Sequence, residues 1–315
     1  MNTIKIFHNK TSLPFISATW SGSADQASRS LSFSIPANPH KREEWGTSLE
    51  LGDIITLYVG KVCYYTGVIT GRKRQNAAGG VTYDSKDFMH YLLRSTITHK
   101  FTNMKPEDIA AYCIAQVGMK KESIATTGVN IPKLICEDMS LYDIIIKAYN
   151  IARTYTKHNY LPVMTNSKFS VILRGNWSGV ILLNGENVTA ADYSDNTDSM
   201  VNAVRIYDDN GNVLGQVNNA DYQKKYGVYL SSYKKEDKVN PTSAATALLE
   251  GISKEASVSA FGDVRATAGK EIVLQDRGTN LYGHFWILED THTFENNTHM
   301  MQLKLSWENV MEASK

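Results

Sequence analysis

From Thr3 to about His99 apolar and polar residues alternate with period two, in Leu31-Ser-Phe-Ser-Ile35 and Ile55-Thr-Leu-Tyr-Val59, with Pro, Asn and Gly between the runs. That pattern predicts short half-buried antiparallel strands, and we read residues 1–99 as a small β-barrel. Gly71 to Gly80 (GRKRQNAAGG) is small, basic and glycine-rich, and reads as a solvated hairpin tip rather than a phosphate grip. The period changes after Phe101. Pro106 suits a first helical position, Glu107 and Asp108 follow in the first turn, Ile109, Cys113 and Val117 repeat on one face, and Gly118 supplies a stop. Ser140 with Asp143 has the form of a capping box before Leu141, Ile144, Ile145, Ala148 and Ile151. Tyr160 to Met164 and Lys168 to Leu173 flank Thr165-Asn-Ser as a hairpin. Residues 100–179 therefore read as an α/β insertion.

Strand character resumes at Val180. Val204 to Tyr207, the turn Asp208-Asp-Asn-Gly-Asn212, and Val213-Leu214 form a predicted hairpin, because Asn and Gly tolerate positive φ. An EF-hand reading of that turn fails on spacing: Val213 stands where the loop requires Gly, and Asn219 where it requires Glu. Residues 219–256 hold a Tyr/Lys stretch and a third helix, with Asn240 as cap, Pro241 at its start and Ala244, Ala245, Leu248, Leu249 and Ile252 on one side. We read them as a small helical insertion. Closing strands are expected at Glu271–Leu274, Phe285–Glu289 and Met300–Leu305, the last two joined by an Asn296-Asn297 turn. Residues 180–218 and 257–315 would form a second barrel. The expected fold class is α+β, mainly β, with two similar tube-type antiparallel barrels.

An internal spacing relates the two barrels. Gly52-Asp-Ile-Ile55-Thr-Leu57 leads to Tyr65-Thr-Gly67, and Gly269-Lys-Glu-Ile272-Val-Leu274 leads to Leu281-Tyr-Gly283. In each, two aliphatic residues fall on one strand face.

Composition narrows the partners. The chain has 315 residues, 42% of them hydrophobic, enough to build a core without disulfide or metal staples. Lys plus Arg number 33 against 32 for Asp plus Glu, so no strong field draws the chain to nucleic acid or an anionic membrane. The three cysteines, Cys63, Cys113 and Cys136, read as buried thiols of a reducing compartment, with assembly in the cytoplasm. No apolar run approaches a membrane span, no signal peptide is read at the start, and the sequons at Asn187 and Asn296 read as chance. The expected partner is protein.

Catalytic signatures are missing. There is no G-x-S-x-G, H-E-x-x-H, Walker loop or dinucleotide fingerprint. The carboxylate pairs Glu43-Glu44 and Glu137-Asp138 read as solvated. With Asn296-Asn297 as a two-residue turn, His292 faces Met301 and Phe294 faces His299, leaving the imidazoles as diagonal neighbours about 7–8 Å apart. That geometry favours structural histidines over zinc. Tyr58, Tyr64, Tyr222, Tyr226, Tyr229 and Tyr233 suit barrel and subunit contacts, with sugar stacking as the rival use. No catalytic residue, cofactor or metal is assigned.

Several segments taken together resemble a known family. Thr19-Trp-Ser-Gly-Ser-Ala-Asp-Gln-Ala-Ser-Arg-Ser-Leu-Ser-Phe33, with Leu51-Gly-Asp-Ile and Tyr65-Thr-Gly-Val-Ile69, resembles the opening of tail-hub proteins of contractile phage tails, of the Gram-positive prophage and tailocin type. Ser199 to Gly211 is similar to that family's second-barrel entry, and Ala268-Gly269 with Trp286 to Phe294 to its closing strands, shared with the late-control proteins. The resemblance implies a structural, non-enzymatic virion protein in the tail baseplate. It implies a homotrimer forming a pseudo-sixfold ring around a channel, with partners in the tail tube or tube-initiator protein, the central spike and the baseplate wedge. DNA would pass without specific binding, and no membrane anchor is implied. Two rivals are a peptidoglycan-degrading tail-tip enzyme and a carbohydrate-binding adhesin.

Overall fold

The alternating segments at the start of the chain become strands β1 (Ile4–His8), β2 (Thr11–Leu13), β3 (Ser17–Ser23), β4 (Gln26–Pro36), β5 (Ile54–Val59), β6 (Val62–Arg74) and β7 (Gly80–Asp87). The computed structural model describes residues 3–36, 49–74, 80–165, 167–237 and 239–308. The Glu43-Glu44 pair and residues 75–79 of the basic loop lie outside that set. Two compact units divide the chain, Met1–Ala191 with Ser257–Lys315, and Asp192–Ala256.

In the larger unit a second group of elements follows. These are α1 (Met89–Arg94), β8 (Thr96–Met104), α2 (Pro106–Gln116), β9 (Lys121–Ile124), β10 (Ile131–Ser140), α3 (Leu141–Thr156), β11 (Tyr160–Thr165) and β12 (Lys168–Leu173). Helix α3 starts where its box requires: Ser140 Oγ accepts from Asp143 N at 3.0 Å and donates to the Asp143 carboxylate at 2.7 Å. Lys157 then ends it in the left-handed conformation. Its apolar stripe is wide, with Tyr142, Ile144, Ile145, Ile146, Ala148 and Tyr149 all buried, because α1, α2 and β10 surround it. Phe101, Cys113, Cys136 and Phe169 complete that core. Burial pushes the Cys113 thiol up to about 12, so it behaves as a small apolar side chain.

The chain continues through β13 (Trp177–Leu183) and β14 (Val188–Asn196) into the smaller unit. There β15 (Ala203–Tyr207) lies between β16 (Val213–Asn218) and β17 (Leu230–Lys234). Helix α4 (Ala220–Tyr226) precedes β17, and α5 (Pro241–Ala247) packs on one face of the sheet, where Val204, Ile206 and Ala245 are buried. The Asn240 carboxamide caps α5 through Thr242 N and Ser243 N. The helix is shorter than its sequence pattern, ending at Ala247 with Leu248 as its C-cap. Asn202, fully buried, pins the turn before β17: its amide donates to Gly227 O and accepts from Tyr229 N.

Strands β18 (Ser253–Phe261), β19 (Glu271–Asp276), β20 (Leu281–Glu295) and β21 (Thr298–Ser306) close the chain. The turn between β20 and β21 is the expected two-residue one, with Asn296 and Asn297 both at positive φ. The expectation of two barrels is overturned by the sheet order. One 13-stranded sheet runs β14-β18-β21-β20-β3-β4-β7-β6-β5-β1-β2, with β19 beside β20 and β13 beside β19, and its ends do not meet. The reason is the length of β20. Its first half pairs with β19 over 281–286, and its second half pairs with β3 over 289–295, so both ends of the chain share a strand instead of each closing on itself. The predicted barrel strands β15 and β16 join β17 in a separate sheet.

The two spaced glycine segments enter their hairpins alike. Gly52 and Gly269 both have positive φ. Gly52 N donates to Ile69 O while Ile69 N donates to Asp53 O; Gly269 N donates to Ile287 O while Ile287 N donates to Lys270 O. Ile55, Leu57, Ile272 and Leu274 are all fully buried. Gly67 pairs with Ile55, whereas Gly283 pairs with Leu274. At Gly67 an added Cβ would stand 2.6 Å from the Lys86 carbonyl oxygen and against the Tyr65 hydroxyl. Backbone cannot yield as a flexible side chain does, so Gly67→Ala should cost about 2–3 kcal/mol, read as a lowered urea midpoint. Gly283→Ala, with nothing within 4 Å, should cost only the strain of its positive φ, about 1 kcal/mol.

Candidate functional site

Strands β3, β4 and β20 meet over a buried ionic knot. Arg29 on β4 reaches across β3 to Asp290 on β20, its Nη1 donating to Oδ1 at 2.8 Å and its Nη2 to Oδ2. The crossing requires glycine below it. Gly22 is the residue of β3 paired with Asp290, and a Cβ there would meet the Arg29 guanidinium. Trp20, two residues back on the same face, lies 4.1 Å from the guanidinium carbon. Ala268 N also donates to Asp290, at 2.6 Å. The knot thereby ties the 263–270 segment to the sheet.

Its histidines are closer than the strand pairing alone implied. His292 pairs with Met301 and Phe294 with His299, as expected, yet His292 Nδ1 and His299 Nε2 lie 3.0 Å apart. His292 Nε2 sits 3.0 Å from the Ala266 carbonyl, which can only accept, so Nε2 carries the proton and Nδ1 accepts from His299 Nε2–H. Gly262 makes room, since a Cβ there would enter the His299 ring. Burial holds both imidazoles down, each to about 4; the Asp290 carboxylate, 3.4 Å from His292, only partly offsets this. Asp87 accepts from Ser28 Oγ, Arg29 N and Met89 N, and burial nonetheless raises it to about 6. Among the described residues no group of three or more His, Cys, Asp or Glu is placed to hold a metal ion. The 208–212 turn is closed by Asp208, which accepts from Asn210 N and Asn212 N.

Outward-facing residues form the second feature. On the β13–β19–β20 portion three rows face away from the core: Trp177, Glu271 and Trp286; Ile181, Val273 and His284; Leu183, Gln275 and Tyr282. Trp177 is 49% exposed, Ile181 50% and Tyr282 53%. His284 binds Glu271 and lies beside Trp177, ring centroids 6.4 Å apart. Six of these nine side chains are apolar or aromatic, and exposed apolar groups gathered on one face mark an interaction surface more often than single scattered ones do. The free edge of β13 is blocked at one point: the Asn187 amide donates to Ile181 O and accepts from Leu183 N, imitating a neighbouring strand.

Tyrosines singled out from the sequence fall in both units. Tyr58 is half-buried against Phe7, edge to face at 5.3 Å, and Tyr64 stands beside Trp20 at 6.4 Å. In the smaller unit Tyr222 and Tyr226 meet edge to face at 5.8 Å, Tyr229 is exposed, and Tyr233 packs on the Val204 core. The face carrying Trp177, Ile181 and Tyr282 was not singled out from the sequence. Its signal was the alternation of Trp177, Ile181 and Leu183 with buried Val180 and Leu182.

Two outcomes follow from the knot. Replacing Asp290 by Ala strands the Arg29 charge and should cost about 3–5 kcal/mol in urea unfolding, while the Arg29→Met, Asp290→Leu double variant should recover much of that loss. The histidines have folded values below the 6.5 of the unfolded chain, so their contribution is complete above pH 6.5 and is lost as pH falls toward 4. Asp87, raised from 3.8 to about 6, runs oppositely, losing stability as pH rises through that window. Urea midpoints of the wild type should fall from pH 7 to 4.5, and His299→Gln should flatten that slope; equal slopes would refute the assignment.

Comparison with known proteins agrees with this architecture. The YqbQ-like family model matches residues 18–306. YqbQ of Bacillus subtilis (strain 168) is 24% identical over 298 residues, 91% of this chain and 90% of that protein. XkdQ of the phage-like element PBSX, from the same organism, is 24% identical over 306 residues, 94% and 93% of the two chains. The 43 kDa tail protein of prophage MuSo2 from Shewanella oneidensis shares the fold, with TM-score 0.75, 13% identity and 97% and 98% of the two chains covered. The chain belongs to the YqbQ-like family, and its fold is that of the prophage tail protein it matches.

Proposed function

We propose that this protein is the homotrimeric baseplate hub of a contractile tail, joining a hexameric tail tube to a trimeric spike around a central channel. The observation that carries the reading is the exposed Trp177–Ile181–Tyr282 face on a chain that shares its fold with a prophage tail protein. Such a face stays soluble in the particle when a partner covers it, and a threefold ring with heterologous contacts closes without open ends. Each chain also carries two hairpins, β5–β6 and β19–β20, entered through a positive-φ glycine and the same pair of backbone hydrogen bonds. Three copies offer six such hairpins, a number that matches a hexameric tube. Tyr58, Tyr64, Tyr222, Tyr226, Tyr229 and Tyr233 are the further contact residues of this reading, toward neighbouring copies, tube or tube-initiator protein, spike and wedge. A formal charge of +1 suits a conduit through which DNA slides without sticking.

Mass photometry of the purified protein, alone and with its tube and spike proteins, is expected to show particles of three chains. Trp177→Asp with Tyr282→Asp should shift them to single chains while leaving the unfolding midpoint nearly unchanged, since both residues are half exposed. Single chains under every condition, or a double variant that still assembles, would overturn the respective claim.

A further inference from the structure

From Ser85 to Lys105 the chain carries four Lys or Arg residues and one carboxylate, Asp87. Asp87 is buried and already accepts from Ser28 Oγ, Arg29 N and Met89 N, so at the surface the cations stand unbalanced. Lys86 on β7 and His90 and Arg94 on α1 form one cluster: burial, and then the positive charges of Arg94 and Lys86, hold the His90 imidazole below its ordinary value. Among the described residues neither Lys86 nor Arg94 makes an ion pair. Helix α1 also exposes Tyr91 and Leu93, with the Tyr91 ring stacked near Phe88 at 6.2 Å between centroids. Cations beside exposed apolar groups suit a negative protein surface that itself carries an aromatic side chain.

The chain holds such a surface. The thirty residues from Gly175 to Val204 contain no Lys, Arg or His, and they contain Glu186, Asp192, Asp195 and Asp198. Asp192, Tyr193 and Asp195 are exposed on β14, and Asp198 is exposed just beyond it. None of these three aspartates makes an ion pair among the described residues, whereas exposed carboxylates elsewhere, such as Asp209 and Glu122, stand against Lys234 and Lys168. Strand β14 also ends its sheet, paired with β18 and bridged at Val188 to Asn184. A free edge of that kind either keeps neighbours away with its charges or is covered by a complementary one.

We propose that the Asp192–Asp198 run of one copy docks on the Lys86–His90–Arg94 cluster of the next, and that Tyr91, Leu93 and Tyr193 are covered in the same contact. The inference rests on the homotrimer reading above. A threefold ring is closed by heterologous contacts, so each chain must present two different surfaces that complement one another. A positive and a negative surface on one chain meet that requirement, while two copies facing each other through the same patch would repel.

Mass photometry of the full chain with its tube and spike proteins tests the contact. Lys86→Glu with Arg94→Glu is expected to raise the concentration at which half the chains are in particles of three at least tenfold. Asp192→Lys with Asp195→Lys should do the same, each double variant keeping its far-ultraviolet spectrum. The chain carrying all four changes has its two signs exchanged, and should assemble within threefold of the wild type. Mixing the two double variants should give particles of two or more chains that neither forms alone; a mixture that stays as single chains would overturn the contact between copies. Double variants that assemble as the wild type does, or a fourfold variant no better than either, would overturn it while leaving the hub reading standing. Single chains of the wild type under every condition would overturn both.

Discussion

Strand β20 must satisfy backbone hydrogen bonds on both edges along fifteen residues, and on one edge no single neighbour does so. β19 serves the first six positions and β3 the last seven, with the handover at the bulge between Ile287 and Glu289 in its pairing with β21. The bulge inserts one residue, so buried positions shift parity from Phe285 and Ile287 to Asp290, His292 and Phe294. Ala24 N donates to Leu288 O at the same place, which carries the β3–β4 turn onto the seam. Everything in the larger sheet that joins residues near 20 to residues near 290 passes through this handover.

The ionic knot sits at that seam for an electrostatic reason. Asp290 and His292 are turned inward by the bulge, and a buried carboxylate is tolerated only with charge and hydrogen bonds around it. Arg29 supplies the charge, Ala268 N a further donor, and Gly22 the empty space through which the guanidinium passes. Three segments far apart in the chain therefore depend on one another.

Local elements were legible where local chemistry decides them. The Ser140–Asp143 box, Pro106 at a helix start, the Asn240 cap and the Asn296-Asn297 turn all form as their sequences indicate, since each depends on neighbours within four residues. The α5 pattern overran its helix because Leu248, Leu249 and Ile252 satisfy a period without the backbone continuing it. The histidine separation was misjudged because strand register places Cα atoms but not the rings that bend toward each other from them. The paired hairpin entries at Gly52 and Gly269 were visible as spacing; their differing partners at Gly67 and Gly283 depend on turn length and bulges, which spacing does not carry.

By itself the sequence determined the mixed, mainly β composition of the fold, the starts of α2, α3 and α5, the Asn296-Asn297 turn, the absence of familiar catalytic motifs and the order of segments that resembles tail-hub proteins; it did not show α1, β8, β9, β10, α4, β17 or β18. Tertiary structure decided that the sheet is one open surface and not two closed ones, that Arg29 meets Asp290 across 261 residues, and which aromatic face is left uncovered. The division has a physical cause. Capping, turn chemistry and alternation are short-range and act before the chain is compact, whereas strand partnership is a competition among many edges of similar backbone chemistry, settled only when burial and charge are satisfied everywhere at once.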